Sequence, residues 1–116
     1  MLTLYSYFRS SASYRVRIAL AWKGLQAEIA TVHLVREGGR QFAPEFRALN
    51  PASLVPVLVD EGRVLTQSLA IIEYLEENSP EPPLLPRDAL ARAQVRAAAL
   101  AIACEIHPLN NLRVWR

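Results

Sequence analysis

The sequence predicts an α/β fold built on a small mixed sheet, and two features indicate it. Segments of strand and helix character follow one another in the order β-α-β-α-β-β-α over residues 1–79. A helix joins the first two strands, which makes them parallel, whereas the turn Asp60-Glu61-Gly62 makes the last two antiparallel. The 116 residues, 52% hydrophobic and 21% charged, are enough for a packed domain of ordinary size.

Glycine and proline residues set the limits of these elements. Gly24 is well placed to end the first helix, and Gly38-Gly39 separates the second strand from a weak helix. Asn50-Pro51 ends that weak helix, and Pro56 stands at the start of a strand, where a missing N–H donor costs least. The predicted elements are strand 2–7, helix 10–23, strand 27–34, helix 41–49, strands 55–59 and 63–66, and helix 67–78.

The last helix of this domain has two faces of different character. Its apolar side is predicted to face the core and consists of Leu69, Ile72 and Leu75. Its acidic side is predicted to face solvent and consists of Glu73, Glu76 and Glu77.

A proline-rich stretch, residues 80–86, predicts an extended linker, and a second unit over 87–116 follows it. Asp88 is expected to cap an alanine-rich helix there, which Pro108 should bend. The apolar seam of this helix consists of Val95, Ala99, Ile102, Ile106 and Leu109. Because one helix has no core of its own, either further helices follow it or a partner chain covers its seam. Of the two, we expect a truncated chain that stops within an all-helical domain. Cys104 lies near the seam and is expected to be a buried structural thiol.

Charge and composition argue against several functions. The net charge is +2 without a basic tract, so no nucleic-acid partner is expected. No apolar run has the length of a membrane span, and the N-terminus lacks the pattern of a signal peptide. The single cysteine forms no internal disulfide, and with His33 and His107 it makes no recognisable metal spacing. A cytoplasmic protein with a reduced thiol is the simplest expectation.

Two helix starts carry polar residues that could do chemistry. Ser10, Ser11 and Ser13 begin the first helix, where hydroxyl and free N–H groups stabilise a thiolate or a carboxylate. Gln67-Ser68 opens the last helix after a strand and offers N–H groups in the same way. Plain helix capping explains serine at both places equally well from the residues alone.

Four segments together resemble the zeta-class glutathione transferases, the maleylacetoacetate isomerase group, over Leu2 to Arg113. Two of them are specific in combination: Ser10-Ser11-x-Ser13-x-Arg15-Val16-Arg17-Ile18-Ala19-Leu20, and Gln67-Ser68-Leu69-Ala70-Ile71-Ile72-Glu73-Tyr74-Leu75. The other two are Ala48-Leu49-Asn50-Pro51-x-x-x-Val55-Pro56 and Ile106-His107-Pro108-Leu109-Asn110-Asn111. The resemblance implies a thioredoxin-like N-terminal domain, followed by the first helix of an all-α domain.

The resemblance also implies a reaction and a set of site residues. Glutathione would act as a cofactor whose thiolate adds to the cis double bond of a keto acid. The resulting single bond would then rotate, and the thiolate would leave. Ser10 would donate to the sulfur and Ser11 would support it, while Arg9 would meet a substrate carboxylate unless it is a solvated surface arginine. The residues implied in glutathione binding are Ser10, Ser11, Ala12, Ser13, Tyr14, Arg15, Gln41, Val55, Pro56, Gln67, Ser68, His107, Asn111, Leu112 and Arg113.

Two details of the resemblance carry their own expectations. The Val55-Pro56 bond would be cis, which turns the Val55 backbone toward the cysteinyl amide of glutathione. Ala12 stands where the family usually has cysteine, so a mechanism with a mixed disulfide at that position is excluded. His107 could equally be a packing histidine beside Pro108.

Three functions remain open from the sequence. The leading one is conversion of maleylacetoacetate to fumarylacetoacetate by a homodimer, and maleylpyruvate isomerisation uses the same chemistry on a shorter keto acid. The third is a non-catalytic dimerisation module of the transferase type. Such modules usually lack the thiol-activating hydroxyl, so the presence of both Ser10 and Ser11 favours an enzyme.

Overall fold

Four strands and three helices make up the first part of the chain in a computed structural model that describes residues 1–33 and 38–106. The strands are β1 (Leu2–Ser6), β2 (Ala27–Thr31), β3 (Val57–Asp60) and β4 (Arg63–Thr66). The helices are α1 (Ser11–Trp22), α2 (Pro44–Leu49), preceded by a 3₁₀ helix at Arg40–Phe42, and α3 (Ser68–Asn78). A last helix, α4 (Ala89–Leu100), continues as a π-helix over Ala101–Ile106. The chain divides into two units, Met1–Pro82 and Pro83–Arg116.

The sheet has the strand order β2-β1-β3-β4. β1 pairs with β2 in parallel, while β3 is antiparallel to both β1 and β4. The predicted α/β class and strand directions are therefore confirmed. β2 ends at Thr31 rather than at residue 34, which lies outside the described residues, and β3 begins after Pro56, which has no N–H to donate to the ladder.

Each face of the sheet carries its own apolar layer. On one face, Val57 packs with Phe46 of α2 and Val32, and Tyr5 and Val59 join this cluster. Strand alternation turns Leu4 and Leu58 to the opposite face, where both are fully buried. The buried apolar residues of the two long helices, which supply the rest of that layer, are Val16, Ala19, Leu20, Ile71 and Leu75.

Both ends of α1 have identifiable caps. The Ser10 hydroxyl accepts a hydrogen bond from the Ser13 N–H at the start. At the other end, Leu25 N–H donates to the Leu20 carbonyl and Gly24 N–H to the Ala21 carbonyl, which is the Schellman arrangement. Gly24 adopts φ +66°, a value that favours glycine, as its predicted role as helix stop requires.

The hairpin turn is one residue shorter than predicted. Asp60 pairs with Arg63 in the ladder, so Glu61 and Gly62 alone form the turn, and both have positive φ.

The Asp60 side chain faces the adjacent helix, where its carboxylate accepts a hydrogen bond from the Tyr74 hydroxyl. This hydrogen bond raises the pKa of Tyr74 above its ordinary value.

The inward face of α3 differs from the prediction at three residues. Ile71 is fully buried, whereas Ile72 is only partly so. Glu76, expected to face solvent, is buried at 6% exposure because it meets the equally buried Lys23. The Lys23 Nζ donates to Glu76 Oε1 at 2.6 Å, to the Ser79 carbonyl at 2.6 Å and to the Pro82 carbonyl at 2.9 Å. This group of contacts joins the end of α1 to the end of α3 and to the segment after it.

The second unit, taken by itself, is helical and exposed. Asp88 caps α4 as predicted, accepting from the Ala91 N–H at 2.9 Å. None of the α4 residues is buried, and Cys104 is exposed, so the prediction of a buried thiol is wrong. The reason is that a single helix, taken by itself, has no core in which a thiol could be buried. Among the described residues, no helix is long and apolar enough to cross a membrane.

Candidate functional site

The start of α1 presents two serine hydroxyls outside the core. Ser10 is partly buried, and its oxygen accepts from the Ser13 N–H at 3.1 Å. Because a hydroxyl can accept and donate at once, the Ser10 proton remains available to a second group. Ser11 is exposed as the first residue of the helix, where its backbone N–H has no partner within the helix ladder.

The third serine of the motif lies in the core. Ser13 has 0% exposure, and its hydroxyl has no hydrogen-bond partner among the described residues. Ala12 is partly buried, and Tyr14 is exposed, with the Arg17 guanidinium carbon 5.3 Å from its ring centroid. Of the three serines, only Ser10 and Ser11 can therefore present a side chain to a ligand in this conformation.

The start of α3 is joined to α1 by a side-chain hydrogen bond. Arg15 Nη1 donates to Ser68 Oγ at 2.7 Å, and Ser68 itself is 8% exposed. Gln67 precedes the helix at φ +71° and makes no side-chain capping bond. Gln67 occupies the cap position and Ser68 is the first helical residue, so plain capping does not explain the serine at position 68.

Two contacts define how α1 and α3 lie together. Arg15 meets Ser68 near the helix starts, and Lys23 meets Glu76 near the helix ends. Both contacts join residues 53 positions apart, so the helices run side by side in the same direction. The starts of α1 and α3 therefore lie at the same end of the helix pair, with their positive dipole ends close together.

The other predicted residues of the first unit have different surroundings. Arg9 is exposed, and its guanidinium carbon lies 5.3 Å from the Phe8 ring centroid. Gln41 is buried in the 3₁₀ helix before α2. The Val55-Pro56 bond is cis, as the resemblance implies, and Val55 packs on the α2 side of the sheet.

Four predicted residues, His107, Asn111, Leu112 and Arg113, lie outside the described residues. Sequence reasoning named Arg15 but missed its contact with Ser68, and it placed Glu76 on the wrong face. Neither contact has a local signal, because each joins residues 53 positions apart.

A cavity of about 250 Å³ lies elsewhere, beside α2. Its lining includes Tyr5, Arg40 and Phe46 and none of the predicted site residues. The candidate site at the two helix starts is therefore distinct from this cavity.

Comparison with known proteins identifies the family. Residues 4–83 match the glutathione S-transferase N-terminal domain. A probable maleylacetoacetate isomerase of Vibrio cholerae is 58% identical over 113 residues, which cover 97% of this chain and 53% of that protein.

Two solved structures share the fold closely. A zeta-class maleylpyruvate isomerase in its holo form matches with a TM-score of 0.90 at 50% identity, covering 97% of this chain and 52% of that one. A maleylacetoacetate isomerase of Methylobacterium extorquens AM1, with bound malonate and glutathione, matches with a TM-score of 0.91 at 47% identity over the same shares.

The chain spans about half the length of the relatives it matches. The matched half contains the thioredoxin-like sheet, the cis proline and both helix starts described above. The chain therefore belongs to the glutathione S-transferase family, in its zeta class.

Proposed function

We propose that this chain binds glutathione and serves a glutathione-dependent cis–trans isomerase that converts maleylacetoacetate to fumarylacetoacetate. The observation that carries the proposal is the meeting of the two helix starts, which puts Ser10, Ser11 and the Arg15–Ser68 pair at one end of the domain. Relatives that share this half of the protein are named as such isomerases, and one was solved with glutathione bound.

The donors at this end suit the chemistry of glutathione, which carries a thiol and carboxylates. The α3 start offers a hydroxyl and a guanidinium, the groups that bind a carboxylate. The α1 start offers hydroxyl protons and a free N–H, which stabilise a thiolate. We assign the γ-glutamyl carboxylate to Gln67 and Ser68, and the sulfur to Ser10 and Ser11.

When bound, glutathione supplies a thiolate that adds to the cis double bond of a keto acid and leaves after the bond has rotated. A free cysteine thiol has a pKa of about 8.5, so the protein must favour the anion at neutral pH. The Ser10 hydroxyl does so by donating a hydrogen bond to sulfur, and the Ser11 N–H adds the field of the helix start. Arg9, exposed just before these serines, is our candidate for holding a substrate carboxylate.

Ala12 is compatible with this mechanism. The reacting thiol belongs to glutathione, so a protein cysteine at this position is not needed for any step. The other residues assigned to glutathione are Gln41, the Val55 backbone before Pro56, and His107, Asn111, Leu112 and Arg113, the last four on the strength of the resemblance. We further propose a cytoplasmic homodimer, as the resemblance implies.

Maleylpyruvate isomerisation is the second candidate. It is supported by the maleylpyruvate isomerase that matches 97% of this chain at 50% identity. The two substrates differ in length at the end remote from the double bond. The contacts proposed at the two helix starts therefore serve both equally.

The test is an assay of both keto acids with and without glutathione. We expect turnover of maleylacetoacetate that disappears when glutathione is omitted, and a lower kcat/KM for maleylpyruvate. The reverse preference would establish the second candidate. Saturable glutathione binding without turnover of either acid would instead favour a non-catalytic module.

A further inference from the structure

Arg15 is placed to act on the start of α3 from a neighbouring helix. Its Nη1 donates to the Ser68 hydroxyl oxygen at 2.7 Å, and Ser68 is more than nine-tenths buried. Ser68 therefore does not sample several rotamers in open solvent, since the contact with Arg15 fixes the position of its oxygen.

The direction of this hydrogen bond has a chemical consequence. A guanidinium has only donors, so the Ser68 oxygen must be the acceptor. With that lone pair engaged, the Ser68 proton points away from Arg15 and is free to donate. Arg15 thus prepares Ser68 as a donor and brings a positive charge within 2.7 Å of the same oxygen.

The start of α3 has no side-chain cap. Gln67 makes no side-chain capping bond, so its side chain does not occupy the first N–H groups of the helix. A ligand that combines with these groups, the Ser68 proton and the Arg15 charge would be a carboxylate, which accepts several charge-assisted hydrogen bonds.

We propose that Arg15 is a positioning residue for the glutathione carboxylate, acting through the Ser68 hydroxyl. The inference rests on the proposed function and adds a residue of α1 to the part of the site that selects the γ-glutamyl end. If Arg15 only held α1 against α3, its substitution would affect binding of ligands with and without that carboxylate to the same extent.

The test compares two peptides by calorimetry. One is glutathione, and the other is 4-aminobutyryl-cysteinyl-glycine, which keeps the amine and thiol but lacks the α-carboxylate. We expect Arg15→Gln to weaken glutathione binding about tenfold and to change binding of the decarboxylated peptide less than about twofold. Ser68→Ala should reduce the effect of Arg15→Gln, because the two residues act as one unit.

Controls separate this inference from the proposed function. Arg63→Gln removes the same charge at the hairpin, near the opposite end of β1, and should leave both affinities unchanged. Arg15→Lys keeps the charge without the planar fork, so it should weaken glutathione binding less than Arg15→Gln does. It also serves as the test variant if Arg15→Gln folds poorly. Equal losses for the two peptides, or none, would overturn the role of Arg15. Absence of saturable glutathione binding in the unsubstituted protein would overturn the proposed function and this inference with it.

Discussion

Lys23→Met is expected to lower the free energy of unfolding by about 3–5 kcal/mol. The substitution leaves the Glu76 carboxylate buried without its cation, and it removes the donor to the Ser79 and Pro82 carbonyls. Both ionic side chains are buried, at 0% and 6% exposure, so water cannot easily replace the lost contacts. Urea unfolding followed by circular dichroism measures the change.

Two further variants show where the effect comes from. Lys23→Met combined with Glu76→Leu should recover part of the loss, because the buried carboxylate that lost its bond to the Lys23 ammonium is then absent, while the two carbonyls still lack their donor. Arg63→Met breaks an exposed pair, 3.4 Å from Asp60, and should cost less than about 1 kcal/mol. If Lys23→Met were no worse than Arg63→Met, the buried pair would contribute nothing to the stability of the fold.

Ser10→Ala is expected to lower kcat/KM about 10²- to 10³-fold, which is typical of losing one donor to a developing anion. The same substitution removes the α1 cap and should lower stability by about 1 kcal/mol. Ser10→Gly separates the two effects, since glycine at the cap position costs only a few tenths of a kcal/mol but has no side-chain donor. We expect it to restore stability and not activity, whereas Ser10→Thr should keep most of both.

Thiolate absorbance as a function of pH tests the cause of this loss. Bound glutathione should ionise at lower pH in the unsubstituted protein than in Ser10→Gly. Ser13→Ala is the matched control, because it removes a hydroxyl from the same turn that is wholly buried, and its activity should stay within about twofold. Full activity in Ser10→Gly would assign Ser10 to capping alone and leave Ser11 as the donor.

The element order could be predicted from the sequence because it depends on local patterns. Gly24 and Asn50-Pro51 end helices through their own backbone preferences, and Asp88 caps α4 through its own side chain. The turn was predicted one residue too long since Asp60 has typical turn chemistry, although in the structure it pairs with Arg63.

Burial at the helix contacts could not be predicted in the same way. The acidic pattern of α3 predicts that Glu76 faces solvent. In the structure its carboxylate is buried in an ion pair with Lys23 of α1, a contact that has no local sequence signal. Ser13 fits the serine motif as well as Ser10 does, but it lies on the buried face of α1 with Val16 and Leu20. Cys104 was assigned to a core that the described residues do not provide.

A backbone amide NMR titration of the protein with glutathione tests directly whether the two helix starts form the glutathione site. We expect saturable chemical-shift changes concentrated at the starts of α1 and α3, that is, at Ser10, Ser11, Gln67 and Ser68. Residues beside the cavity near α2, such as Tyr5 and Phe46, should change little. Shifts confined to that cavity, or no saturable shift at millimolar glutathione, would contradict the proposal that the two helix starts bind glutathione.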